Sequence, residues 1–293
     1  MLSIDPKTTP TPDLHQFLLG SVAPRPIAFV STLSKEGAPN LAPYSFFNVF
    51  SSNPPIAIFS SNRRVRNNTT KDTLANAEET KEVVINMVSY DIVRQMTLAS
   101  IEYPSAVNEF QKAGLTPLPS ERVAPFRVKE SPAQLECIVK EILPLGDQGG
   151  AGNLVVCEVV MMHVMEEAVE NGRINPHKMD LMGRMGRAFY CRASGEAVFP
   201  IVQPVNQLGI GYDNLPAAVR GSQVLNGWEL SQLAAVTELP TEIEVENIRK
   251  DARVMDALAG NDQERTDHLH RYAKELLAKD DVHKAWQVIL NDI

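Results

Sequence analysis

Over its first two hundred residues the chain alternates short apolar runs with turn signals, the spacing of a strand-rich domain. Residues 27–33 (IAFVSTL) are apolar and β-favouring, and they end in the hairpin signal Ser34-Lys35-Glu36-Gly37. The chain returns through residues 39–47 (PNLAPYSFF), where two prolines argue against a central, fully paired strand. Residues 56–60 and 83–88 predict two more strands, with a helix over 71–82 between them that Asp72 or Thr73 would cap. Further helices are predicted over 91–101 and 107–113, the second closed by Gly114. Residues 134–143 and 153–164 read as a long antiparallel hairpin around the glycines of 146–152, and Leu135, Cys137 and Val139 alternate with Glu136 and Lys140.

Beyond residue 206 the texture changes. Helices are predicted over 217–222, 242–259, 268–279 and 283–290, with Asn226-Gly227 as a turn. In the second of these, Ile243, Val245, Ile248, Ala252, Met255 and Leu258 recur at mostly three- or four-residue spacing. Strands come first and βαβ alternation is lacking. The expected fold is therefore mainly β with α: an antiparallel barrel over residues 1–205 and a helical C-terminal extension over 206–293.

Composition narrows the function. The 293 residues are 44% apolar and 22% charged, which suits a globular core. A net charge of −8 argues against a nucleic-acid partner. The one basic cluster, Arg63, Arg64 and Arg66 followed by Lys71, suits a small phosphate-bearing ligand. Three scattered cysteines form neither a disulfide framework nor a zinc site. With no secretory leader and no window of about 18 apolar residues, the expectation is a cytoplasmic chain without a membrane partner.

Familiar catalytic signatures are missing: GxGxxG after a strand, GxxxxGK[ST], GxSxG and HExxH do not occur. His268 and His270 fall on different faces of a helix and are expected at the surface, while His163 and His177 are expected to be structural. The positive signal lies between residues 24 and 86. Prolines beside Asn40, Ala42 and Tyr44 leave backbone groups unpaired, suited to the polar edge of a flat heterocycle. Ser60, Ser61, Asn62, Arg63 and the Lys71-Asp72-Thr73 helix start supply hydroxyls, cations and backbone N–H groups for a phosphate. A planar polar ring with a phosphate tail fits both sets. Taken singly, Ser31 and Thr32 are strand residues, Tyr44, Phe46 and Phe47 core aromatics, Lys71-Asp72-Thr73 a helix cap and Arg63 a solvated charge.

In order along roughly residues 10–205, PRPIAFVST, NLAPYSFFN, IAIFSSN, KDT and VVINMV resemble the flavin-reductase-like family of FMN-binding split barrels, which includes flavoredoxin. Residues 180–190, with Arg184 and Tyr190, resemble the segment that closes the domain in flavoredoxin-type members, where the two side chains would serve packing or an interface. The resemblance implies an FMN-holding barrel, commonly a homodimer with the flavin near the subunit contact. It further implies an NAD(P)H-dependent flavin reductase in which hydride passes through the bound flavin, with NADH or NADPH docking transiently. Carried over by position, Ser31 and Thr32 would lie near the ribityl or phosphate end, and Asn40, Ala42, Pro43, Tyr44, Ser45 and Phe46 along the isoalloxazine. Ser60, Ser61, Asn62 and Arg63 would meet the ribityl–phosphate part, Lys71, Asp72 and Thr73 would close the phosphate site, and Asn86 is a further candidate. The flavin carries the chemistry, so no catalytic side chain and no metal is expected. One alternative is a flavoredoxin-type FMN electron carrier with an electron-acceptor protein as partner. Another is a flavin-free binding or scaffolding dimer, against which the retention of both segment sets argues.

Overall fold

A computed structural model of the chain describes residues 1–105, 107–201 and 207–292, apart from the side chain of Gln263. It forms two compact units, Met1–Phe199 and Pro200–Ile293. The boundary expected at residues 205 and 206 falls outside the described residues.

In the first unit, α1 (Thr11–Ser21) precedes β1 (Ala28–Leu33), β2 (Pro39–Tyr44), β3 (Phe47–Ser52) and β4 (Pro55–Ser60). Then come α2 (Asp72–Thr80), β5 (Glu82–Met87), α3 (Val93–Leu98), α4 (Glu109–Ala113) and the two-residue partners β6 (Pro117–Leu118) and β7 (Arg127–Val128). Long strands β8 (Ala133–Pro144) and β9 (Asn153–Val164) form the expected hairpin. The unit ends with the β10 (Val169–Glu170) and β11 (Arg173–Ile174) pair, α5 (Pro176–Met179) and the β12 (Met182–Gly186) and β13 (Phe189–Arg192) hairpin. Seven strands make one sheet in the order β2-β1-β5-β8-β9-β4-β3, with every neighbouring pair antiparallel.

Burial explains the sequence pattern of this sheet. Strand β1 does not alternate because both of its faces are covered. Ala28 and Val30 pack with Phe59, Ile85 and Cys137, while Phe29 packs with Leu41, Met96 and Phe110. The proline-bearing β2 lies at one edge, where a missing N–H costs no ladder bond. The run over 39–47 does not continue as one strand. It breaks at Ser45-Phe46, and β3 takes the opposite edge beside β4. Cys137 and Cys157 are fully buried free thiols. Burial raises Cys137 well above its ordinary value and pushes Cys157 up to about 12, so both serve as packing groups.

Two expected helix starts in this unit are corrected as well. Helix α2 is capped by neither Asp72 nor Thr73. Its N-cap is Lys71, whose side chain makes no capping bond, and Asp72 and Thr73 lie in the first turn. Helix α4 starts at Glu109 rather than 107, because Asn108 Oδ1 accepts the N–H of Phe110 and fixes the start there.

The second unit contains α6 (Ala217–Arg220), α7 (Gly227–Ala234), α8 (Glu242–Ile248), α9 (Ala252–Leu258), α10 (Asp262–Leu277) and α11 (Val282–Ile289). Its core surrounds the fully buried Trp286, whose Nε1 donates to the Leu233 carbonyl at 3.0 Å. The single helix expected over 242–259 is two, because Asp251 accepts the N–H of Arg253 and starts a new helix. Asn226 is likewise an N-cap, paired with Glu229 in a capping box that starts α7. His268 is exposed as expected, but His270 is buried and its Nδ1 lies 2.8 Å from Ser222 Oγ. Among the described residues no helix is long and apolar enough to cross a membrane, and no cluster of potential metal ligands occurs.

Candidate functional site

The site grows from the edge strand β2 and the start of α2. The β1–β2 register sets Thr32 opposite Asn40. The Asn40 amide donates to Thr32 Oγ1 at 3.1 Å and to Thr73 Oγ1 at 2.8 Å, and Asn76 adds a second donor to Thr32 at 3.0 Å. This network ties the edge strand to the first turn of α2. Because Lys71 has no acceptor to offer, the leading N–H groups of α2 lack a side-chain cap.

Lys71 itself is half-buried, with Nζ 4.9 Å from the centroid of the Tyr44 ring. Burial lowers the pKa of its ammonium and the neighbouring Arg64 lowers it further, while Glu102 pulls the other way. Burial raises the Tyr44 phenol, and the nearby hydroxyls of Thr73 and Ser61 offset part of that rise. Tyr44 Oη and Ser61 Oγ are sealed from solvent without a well-formed hydrogen bond.

The segment after β4 forms the opposite wall. Ser60 Oγ donates to Asn62 Oδ1 at 2.8 Å, and the Asn62 amide donates to the Gly150 carbonyl at 3.2 Å. Ser61 N–H donates to the Asn153 carbonyl and Arg63 N–H to the Ala151 carbonyl. The glycine loop of the β8–β9 hairpin must come close for these bonds to form. A Cβ on Gly149 would sit 3.0 Å from the Val65 carbonyl, and one on Gly152 only 2.7 Å from Ser60 Oγ.

Two cavities flank Lys71. One of about 60 Å³ is lined by Asn40, Ala42, Pro43, Thr73, Tyr103 and Glu109 among others. The other, of about 420 Å³, is lined by His15, Asn62, Arg63, Arg66 and Gly150 among others. Arg64, Lys71 and Glu102 line both. Glu109 is buried and accepts the Leu41 N–H at 3.1 Å, and burial raises its pKa.

Of the residues expected at a site, Asn40, Ala42, Pro43, Asn62, Arg63, Lys71, Asp72 and Thr73 line these cavities, with Tyr44 and Ser61 just behind. Thr32 is reached through Asn40, and Ser60 through Asn62. Phe46 meets His15 edge-on, with centroids 6.3 Å apart, and Ser45 beside it is half-buried. Ser31 is buried without a partner for its hydroxyl. Asn86 spends its amide on the Phe29 carbonyl and the Val128 N–H, both within the interior. The Arg63 guanidinium folds back onto Asn68. Arg64 belongs to the basic run at 63–66 that the sequence assigns to a phosphate-bearing ligand, and it lines both cavities. Glu102, Tyr103 and Glu109 are additions from the structure, and nothing in local sequence marks them.

An antiparallel barrel-type domain with a cation-rich cleft beside its edge strand defines the class. A profile of the flavin reductase like domain matches residues 19–181, and the chain belongs to that family. An uncharacterized protein of Aquifex aeolicus (strain VF5) is 40% identical over 191 residues, 65% of this chain and 95% of that one. Nitrilotriacetate monooxygenase component B from Bacillus cereus is 34% identical, with a TM-score of 0.64 over 69% of this chain and 98% of its own. A split barrel domain from Shewanella frigidimarina NCIMB 400 has the same fold, at 23% identity and a TM-score of 0.59 over 69% of this chain and 100% of its own. The first unit is thus a split β-barrel, and residues 200–293 lie outside the profile match.

Proposed function

We propose that the chain binds FMN in the cleft around Lys71 and acts as an NAD(P)H-dependent flavin reductase. The observation that carries this reading is the convergence of Lys71, Arg64 and the uncapped α2 N-terminus beside the proline-bearing edge strand of a flavin-reductase-family domain.

In this reading Lys71, Arg64 and the α2 backbone hold the phosphate dianion, since cations and a helix N-terminus both favour negative charge. Asn40, through Thr32 and Thr73, fixes the distance between the strand and that phosphate site. Backbone groups of Ala42, Pro43, Tyr44, Ser45 and Phe46 line the ring, and Ser60, Ser61, Asn62 and Arg63 line the ribityl chain. Bound FMN supplies hydride acceptance from a nicotinamide and onward electron release. No side-chain acid or base is required. The functional unit in this proposal is a homodimer, and the exposed Val49 and Phe50 on edge strand β3 supply its apolar contact.

The test is a visible spectrum of the purified protein with FMN, followed anaerobically by NADH or NADPH. Perturbed flavin absorption that bleaches with one nicotinamide is the expected result. Flavin fluorescence and thermal midpoint both unchanged at saturating FMN would refute the reading, because a ligand of the native state must stabilise it.

A further inference from the structure

Glu102 stands between the two cavities and is a wall of both. Its carboxylate bridges two cations: Oε1 takes Arg64 Nε at 3.1 Å and Oε2 takes Arg66 Nη2 at 2.6 Å. The same Arg64 also donates to Thr69 Oγ1 and to the Thr70 carbonyl, so its guanidinium is held at the cleft mouth beside Lys71. Arg64, Arg66 and Lys71 therefore form a cation cluster whose resident anion is a side chain of the protein.

That anion arrives on a strap. Ala99, Ser100, Ile101, Glu102 and Tyr103 all line the smaller cavity, which measures about 60 Å³. Sites for small ligands usually run from roughly 300 to 1,000 Å³. With the strap in this position, that chamber is too small for a nucleotide. The Arg66–Glu102 pair is solvent-accessible, with side chains 75% and 49% exposed, and such a pair is weak and exchanges readily; the Arg64 side chain, 23% exposed, is the more sheltered partner.

We propose that Glu102 is a built-in surrogate for the ligand phosphate: its carboxylate occupies the Arg64–Arg66 cations until a phosphate displaces it, and the displacement frees the 99–103 strap from the cleft. This rests on the flavin-site reading above and deepens it. A dianionic phosphate outcompetes a single carboxylate for one donor from each of two neighbouring guanidinium groups, whereas a ligand without a phosphate does not. Glu102 therefore sets the selectivity of the site by charge. The arginines sustain the Glu102 anion in turn, since the Arg64 hydrogen bond and the charges of both arginines hold its carboxyl below the usual range.

The test compares wild type with Glu102→Gln, which keeps the side-chain size and removes the charge. FMN and riboflavin are titrated by fluorescence quenching, and the thermal shift produced by inorganic pyrophosphate is measured in parallel. The expected result is FMN binding about three- to tenfold tighter in the variant, riboflavin unchanged, and a larger pyrophosphate shift. FMN affinity that is unchanged or weaker in the variant would overturn the proposal. So would an equal gain for both flavins, which would make Glu102 a steric lid rather than an anion surrogate. If wild type binds no FMN, the flavin reading fails by itself. The pyrophosphate comparison then decides the surrogate role: a larger shift in Glu102→Gln upholds it, and an equal or smaller shift ends it.

Discussion

The Asn40 amide donates to Thr73 Oγ1 at 2.8 Å, joining edge strand β2 to the first turn of α2 across 33 residues of sequence. With its second bond, to Thr32, it is the clasp that keeps edge strand β2 at a fixed distance from the start of α2 beside the Lys71 cation. Asn40→Ala removes both bonds. Thr32 keeps Asn76, but Thr73, which is fully buried, loses its donor. The expected cost is about 1–3 kcal/mol, read as a lower urea midpoint at unchanged slope. FMN affinity should fall with it, because the strand loses its anchor as well as a contact.

Lys71→Ala should weaken FMN much more than riboflavin, by roughly 1.5–3 kcal/mol in the difference, the worth of a charge-assisted contact. Equal losses for both flavins would move the phosphate away from Lys71.

The half-buried position of Lys71 adds a pH signature. Its pKa lies below the ordinary 10.5, chiefly from burial and then from Arg64. The phosphate needs the protonated ammonium, so the preference for FMN over riboflavin should decline as pH rises through that lowered pKa, earlier than for an exposed lysine. Lys71→Arg should hold its preference over the same range, since arginine stays charged. Titrations of both flavins from neutral pH up to the ordinary lysine value of 10.5 check this.

Away from the cleft, Glu136 is fully buried on β8 and accepts the N–H groups of Glu121 and Arg122, with His163 Nε2 at 2.7 Å. Burial acts to raise its pKa, but the two backbone donors and His163 outweigh it and leave the carboxyl below the ordinary 4.5. A depressed carboxyl contributes stability that is present above the unfolded value and is lost as pH falls through the folded one. Glu136→Gln should therefore destabilise the fold near neutrality, by about 1–3 kcal/mol for the hydrogen bonds to a charged acceptor that it weakens. The gap between the two proteins should narrow below pH 4.5, as urea midpoints taken across acid pH will report.

What local sequence encodes and what only the fold assembles separate cleanly here. The run at 27–33 and the prolines of 39–43 report directly on burial of β1 and the edge position of β2, because each strand's environment acts on its own residues. The Lys71-Asp72-Thr73 start and the basic run at 63–66 lie close in sequence, so their convergence was readable. Glu102 reaches Arg64 across 38 residues, and Glu109 reaches Leu41 across 68. Those pairings follow from where α3 and α4 pack, which no periodicity records. The break of 242–259 shows a competition: the apolar spacing continues through it, but α8 stops at Ile248 and the Asp251 side chain caps the start of a new helix.

The oligomer can be tested on the full chain through edge strand β3. Val49 and Phe50 are 58% and 66% exposed, on a strand whose outer edge has no partner within the described sheet. Apolar side chains on an open strand edge favour association with a second copy unless charges or cover prevent it. The same strand follows directly on Ser45 and Phe46, the end of the segment proposed to line the ring, so a contact there would put the flavin near the subunit boundary. Sedimentation equilibrium of the full chain at micromolar concentration should give two chain masses, and the double variant Val49→Lys, Phe50→Glu should give one. Weakened FMN binding in that monomer would mean that the partner copy helps to complete the site. A wild-type protein of one chain mass that still binds FMN would sink the dimer and leave a site built by a single chain.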